Sequence, residues 1–246
     1  RIDLQETLRD FSPSLSEAES IAPIIDEESA VGIMLAAGAL CNDAILEQTE
    51  QGFSAVGDPT EGALVVAAVR AGLWKDKLEA ALPRVGELPF DSDRKRMTTI
   101  HHIQDAGLLP APLRELIQSP LFLADQPYLA ITKGAVDGLL DISTRVWVNH
   151  QIEDMNADYR QRIMDANNDL ALKGMRVLGV AFRQCPKPSD PACETLEQDL
   201  VFVGMFAMIG YMRGWTKELI ASAIRQAHAE ARQDRRDDAG MAGSRE

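Results

Sequence analysis

The sequence predicts an α+β domain, with a largely antiparallel sheet flanked by helices. Three observations predict it. The order of elements is helix, strand, helix, then several strands joined by hairpin-like and helical connections. Strands and helices do not alternate regularly, as a doubly wound parallel sheet requires. Hydrophobic residues make up 46% of the 246 and charged residues 26%, which is the composition of a packed globular chain rather than a disordered one.

The elements follow in chain order. Ser14 and Ser16 each precede a glutamate by three places (Glu17, Glu19), a helix-start signature. A helix is expected over residues 27–41, where Val31, Met34, Leu35 and Gly38 share a face and the small residues favour close packing. Gly52 to Gly57 reads as a short strand. Asp58 then reads as an N-cap with Pro59 as first helical residue, opening an apolar helix to Arg70 that stops near Gly72.

Residues 84–89 are extended, a charged run covers Asp91 to Arg96, and Met97 to Ile103 is a strand rich in Thr and Ile. Residues 104–127 contain four prolines and form a long connection with a short helix around Leu113 to Ile117. Tyr128 to Thr132 is a strand, which Lys133-Gly134 is expected to break. Ala135 to Ile142 is a short helix and Arg145 to Val148 a short strand. Asn156 to Lys173 is the clearest helix, with Gly174 as its C-terminal cap. Met175 to Arg183 and Asp199 to Ile209 are strands on either side of a Pro-rich loop. A helix over residues 216–231 and a frayed tail over 232–246 complete the expectation.

Charge and motif content exclude several functions. With 25 Lys and Arg against 38 Asp and Glu, the net charge of −13 repels phosphate backbones, so no nucleic-acid partner is expected. The longest nearly uncharged apolar run, residues 200–212, is shorter than the ~20 residues of a membrane helix. Cys41, Cys185 and Cys193 form neither a disulfide framework nor a zinc spacing. There is no GxxxxGK[ST] loop, GxGxxG fingerprint or GxSxG elbow. His101 and His102 are adjacent, so in a strand they face opposite sides and cannot chelate one metal. The chain begins with Arg and is expected to be a piece of a longer one.

Four segments remain. They are Gly57-Asp58-Pro59-Thr60-Glu61-Gly62-Ala63-Leu64, Leu88 to Met97 (LPFDSDRKRM), Thr132-Lys133-Gly134-Ala135, and Lys173-Gly174-Met175-Arg176-Val177-Leu178. Singly, each has a plain structural reading: a capping-box acid, a core phenylalanine, a solvated basic run, a strand-ending turn, a surface arginine. Together, in this order and spacing, they resemble the nucleotide-binding domain of P-type cation-transporting ATPases, nearest to the type II branch of calcium, sodium–potassium and proton pumps. Leu40-Cys41-Asn42-Asp43-Ala44 and Phe202-Val203-Gly204-Met205 extend the resemblance over about residues 30 to 213.

The resemblance implies an ATP site, with Mg-ATP in the complete pump. It gives Phe90 the adenine-stacking role and Glu61 the adenine-contacting role. Lys95 and Lys133 take pocket-lining or phosphate roles, Arg176 a phosphate-side contact, and Asp58 and Thr60 the rim. The chemistry agrees. A purine wants an aromatic face, its exocyclic amine wants an acceptor, and a triphosphate wants cations. It further implies partners within a parent pump: phosphorylation and actuator domains and membrane helices, with this domain on the cytoplasmic face.

The family's DKTGT, GDGxND and TGES motifs do not occur in these residues, so the chain by itself is expected to bind ATP without hydrolysing it or moving an ion. Where the family has a DPPR hinge, residues 209–213 read Ile-Gly-Tyr-Met-Arg. Residues 1–209 are thus expected to form the nucleotide-binding domain, 210–231 a hinge and the first helix of an incomplete phosphorylation domain, and 232–246 a disordered tail. The altered hinge motivates the alternative of a relic or interaction module that keeps the fold without nucleotide affinity. A free-standing dehalogenase-type phosphatase is weaker, because no Asp-x-Asp nucleophile motif is present.

Overall fold

The small residues between positions 30 and 39 form α1 (Ser29–Leu40), whose Leu35, Ala36, Ala39 and Leu40 are fully buried. The computed structural model describes residues 29–49, 52–119, 122–123, 125–148, 150–186 and 196–209. The helix-start signals at 14–19, the hinge at 210–213, the helix at 216–231 and the tail lie outside the described residues, as does Cys193. The chain divides into two units, Arg1–Met208 and Ile209–Glu246, and the elements below belong to the first, apart from the last residue of the final strand.

After α1, β1 (Ile45–Thr49) and β2 (Gly52–Val56) pair antiparallel, Ile45 opposite Val56. Next comes α2 (Pro59–Arg70). Asp58 caps it in extended conformation, its Oδ1 accepting from the amides of Thr60 (2.8 Å) and Glu61 (3.3 Å). A second short helix, α3 (Lys75–Ala81), buries Leu78 and Ala81. β1, α3 and, further on, the strand Gln151–Asp154 are additions to the sequence expectation. The residue capping α3, Trp74, makes no side-chain cap bond, so α3 carries no start signal.

The remaining elements are β3 (Arg84–Asp91), β4 (Arg96–His102), α4 (Ala111–Gln118), β5 (Tyr128–Gly134), α5 (Val136–Asp141), β6 (Ser143–Val148), β7 (Gln151–Asp154), α6 (Ala157–Leu172), β8 (Met175–Cys185) and β9 (Leu200–Ile209). Asn156 caps α6 through a bond from the Tyr159 amide, and Gly174 follows it at φ 73°, as the cap chemistry predicts.

Seven strands make one sheet in the order β3-β4-β5-β8-β9-β6-β7. β3–β4, β4–β5, β5–β8 and β6–β7 are antiparallel, and β6 lies parallel to β9. The α+β, largely antiparallel architecture is the one expected. Period-two alternation divides its core. Met97, Leu129, Ile131, Val180, Phe182, Val201 and Val203 pack with α1, α2, α3 and α4 on one face. Ala181, Leu200 and Phe202 pack with α5 on the other, where Leu88, Ile100, Ala130 and Leu196 form a further cluster. Both faces are covered, which is why β4 and β5 are buried along nearly their whole length.

One expectation is corrected. Lys133-Gly134 does not break β5. The strand runs through it, with Gly134 opposite Arg96 on one side and Gly179 on the other. The glycine answers close approach rather than a turn: a Cβ there would lie 2.5 Å from Arg96 Cβ and 2.6 Å from the Lys95 carbonyl oxygen.

Candidate functional site

The cap of α2 delivers Thr60 and Glu61 to the ends of two sheet strands. Glu61 Oε1 accepts from the ammonium of Lys133 on β5 at 2.5 Å. Its other oxygen, Oε2, accepts from the Asp43 amide at 3.0 Å. Lys133 is 6% exposed, so its charge needs this partner. Beside the pair, Arg176 at the start of β8 donates to Thr60 Oγ1 at 2.6 Å. Burial works against ionisation of Asp58, but the amides and hydroxyl it accepts from, and the charge of Arg176, outweigh it and hold the carboxyl below its ordinary value. Five of the seven residues singled out from the sequence, Asp58, Thr60, Glu61, Lys133 and Arg176, therefore stand together.

The turn after α1 sets Glu61 in place. Asn42 Nδ2 donates to the carbonyls of Gly38 (3.0 Å) and Glu61 (2.9 Å), and Asn42 Oδ1 accepts from the Ala44 amide (2.8 Å). Lys75 donates to the Asn42 and Ala44 carbonyls, and Arg84 to Asp43 Oδ1 at 2.7 Å. In the sequence, residues 40–44 extend the family resemblance without pointing to a task. The only signal was an Asn-Asp pair directly after a helix, a common place for residues that bond local backbone.

Phe90 reaches the same face by a bulge. Leu88 opposes Thr98 and Asp91 opposes Arg96, so Pro89 and Phe90 together face Met97 alone. The register then places Leu88 and Asp91 on the Thr98 side and Phe90 on the Met97 side. Met97 is directly opposite Lys133. Phe90 thus stands on Lys133's face two strands away, roughly 10 Å at the backbone, with its ring 65% exposed. An unpaired phenylalanine this exposed is not a core residue, which was its plain reading.

Lys95 sits in the β3–β4 turn at φ 52°, and its carbonyl accepts from the Ala135 amide at 3.0 Å. Its side chain is exposed at the rim rather than joined to the Glu61 cluster.

The basic run 94–96 is less solvated than its composition suggests. Arg94 and Arg96 both reach a buried carboxylate, Glu197, which sequence reasoning placed in a loop. His101 and His102 make their contacts outside this cluster. His101 is buried, donating from Nδ1 to the Leu82 carbonyl and accepting at Nε2 from Thr99, while His102 leans on Tyr128. Among the described residues no group of three His, Cys, Asp or Glu side chains could hold a metal, and no helix is long and apolar enough to cross a membrane.

An exposed aromatic thus shares a sheet face with a clamped carboxylate, and Lys133 and Arg176 stand beside that carboxylate. Comparison with known families agrees with the motifs. Residues 31–214 match the family described as P-type ATPase, cytoplasmic domain N. The chain belongs to this family.

Relatives of this N domain carry the names of calcium- and cation-transporting ATPases. The chain is 35% identical over 181 residues to "Calcium-transporting ATPase 1" of Bacillus cereus, covering 74% of this chain and 18% of the relative. It is 30% identical over 196 residues to "Calcium-transporting ATPase" of Bacillus subtilis, covering 80% and 20%. It is 28% identical over 211 residues to "Probable cation-transporting ATPase F" of Mycobacterium tuberculosis, covering 85% and 20%. The chain thus spans about a fifth of the length of the curated relatives it matches.

Proposed function

We propose that this N domain binds ATP between Phe90 and Glu61 and holds it for phosphoryl transfer to an aspartate in a phosphorylation domain of a parent pump. One observation carries the reading. Glu61 is fixed by Lys133 and the Asp43 amide on the face to which the bulge turns Phe90. A clamped carboxylate and an exposed ring, two strands apart, suit a flat heterocycle with an exocyclic amine.

The residues divide the work by position. Phe90 stacks the adenine. Glu61, whose oxygens have lone pairs beyond those used by Lys133 and Asp43, accepts from the adenine amine. Lys133 lines the base pocket, because Glu61 already engages its ammonium. Arg176, held by Thr60, and the exposed Lys95 face the phosphates, and Asp58 shapes the rim. The magnesium arrives with the triphosphate. The domain contributes positioning and charge, and the nucleophile comes from elsewhere. The parent is a membrane pump with this domain on its cytoplasmic side, joined to phosphorylation and actuator domains and membrane helices. Its cargo is a cation, calcium being the one named for the Bacillus relatives.

The 246-residue chain titrated with ATP and followed by NMR tests the reading. Saturable shifts at Phe90, Glu61 and Lys133 are expected, with no phosphate release above background. No shift at millimolar ATP would instead favour a domain that keeps the fold without the nucleotide.

A further inference from the structure

We infer that Glu197 is a positioning residue for the nucleotide site, acting on Phe90 through the sheet from its opposite face. The inference rests on the ATP-site reading above.

Glu197 is 3% exposed. A buried carboxylate demands several donors, and it has three: Arg94 Nη1 at 2.6 Å, Arg96 Nε at 2.6 Å and Thr98 Oγ1 at 2.8 Å. Since Thr98 donates to Glu197, its bond with Thr132 at 2.9 Å has the Thr132 hydroxyl as donor, which ties β5 into the same network. Burial alone would raise the Glu197 carboxyl. The bonds from Arg94, Thr98 and Arg96 outweigh it and keep the group below its ordinary value.

The arginines carry the constraint to the ring. With Nη1 on Glu197, the Arg94 fork presents Nη2 to the Pro89 carbonyl at 3.0 Å. Pro89 is the first residue of the bulge, and that bulge decides which face Phe90 occupies. Asp91 Oδ1 braces the turn from within by accepting from the amides of Asp93 and Arg94 at 2.9 Å each. A guanidinium with both ends engaged cannot swing, so the peptide before Phe90 has a fixed anchor. Neither Glu197 nor Arg94 needs to touch nucleotide for this. Their effect on it passes through the Phe90 backbone.

The test is a double-mutant cycle on the full chain, with ATP affinity and melting temperature measured for wild type, Glu197→Gln, Phe90→Ala and the pair. Glu197→Gln is expected to weaken ATP about threefold to tenfold, a part of the stacking contribution. On the Phe90→Ala background it is expected to change affinity by less than about twofold. A role confined to stability would lower the melting temperature and leave affinity unchanged, or weaken binding equally in both backgrounds, and either result overturns the inference. If Glu197→Gln does not fold, Arg94→Gln removes the same anchor from a partly exposed position and must show the same non-additivity. If wild type fails to bind ATP, the site reading falls by itself. The positioning claim is then decided by the Phe90 amide and ring shifts of the ligand-free variant, which must move for it to stand.

Discussion

The ammonium of Lys133, on a central sheet strand, donates to Glu61 Oε1, on the first turn of α2, across 72 positions of sequence and 2.5 Å of space. The pair joins the helical layer to the sheet at the proposed adenine position. Its partners are unequally buried, 8% of the Lys133 side chain being exposed against 18% for Glu61. Removing one leaves the other charge poorly compensated. Lys133→Met is expected to cost about 2 kcal/mol in urea unfolding, discounted for the access of Glu61 to water. Adding Glu61→Gln should restore about half of that loss, while ATP binding stays impaired in the double variant. A double variant that regained wild-type affinity would remove both residues from the site.

Phe90 separates binding from stability. Its ring is 65% exposed, so Phe90→Ala is expected to change unfolding free energy by no more than about 0.5 kcal/mol. The loss of stacking is worth about 1–3 kcal/mol, or roughly fivefold to 150-fold in ATP affinity. Phe90→Trp should retain most of the affinity. Calorimetric titration of the three proteins decides it.

These two residues also show what was legible in the sequence. The start of α2 was readable because Asp58, Pro59 and Glu61 act within one turn of each other. The two ends of the site were readable as motifs. The bulge that turns Phe90 over was not, because it is a count of two residues against one on a strand that begins only at Arg96. Glu197 lies in a turn before β9, as the sequence expects, but its burial is not legible there, since its arginines are 101 and 103 positions away. Lys133-Gly134 was read as a break for a related reason. Glycine looks alike in sequence whether it supplies a turn or makes room for a neighbouring strand, and only the close approach of Arg96 and the Lys95 carbonyl distinguishes the two.

Gly134→Ala tests that distinction. The added methyl would meet Arg96 Cβ at 2.5 Å at the start of β4 and the Lys95 carbonyl at 2.6 Å in the turn before it, neither of them a flexible tip. The expected cost is about 1–3 kcal/mol in unfolding free energy, with the turn displaced from β5 and the Lys95-to-Ala135 bond lost. If the position were a turn with open space, the substitution would be neutral.

His101 sets a pH dependence outside the site. Burial pushes its imidazole down from the usual 6.5 to about 4, helped by the charges of Arg84 and Lys75 and opposed by its bond to the Leu82 carbonyl. The folded state therefore excludes a proton that the unfolded chain accepts. The stabilising contribution is complete above about pH 6.5 and is lost as pH falls from there towards 4, at most about 3 kcal/mol in all. His101→Gln should flatten this window of the urea-midpoint profile. An unchanged slope between pH 4 and 6.5 would assign the dependence to other groups.

Substituting Arg176 tests whether the proposed site has a phosphate side distinct from its base side. Arg176 is exposed, and it donates to the Thr60 hydroxyl rather than to a carboxylate, so its charge remains available to an anion. Arg176→Ala is expected to weaken ATP about threefold to tenfold and to leave adenosine binding unchanged, because only the phosphates carry the charge it meets. The difference between the two ligands should shrink as salt is raised, since an exposed pair is screened within about 8 Å at physiological ionic strength. Phe90→Ala should weaken both ligands alike at every salt concentration. If Arg176→Ala weakened adenosine as much as ATP, the arginine would be acting through Thr60 and the α2 cap, and the phosphates would have to be placed on another side of Glu61.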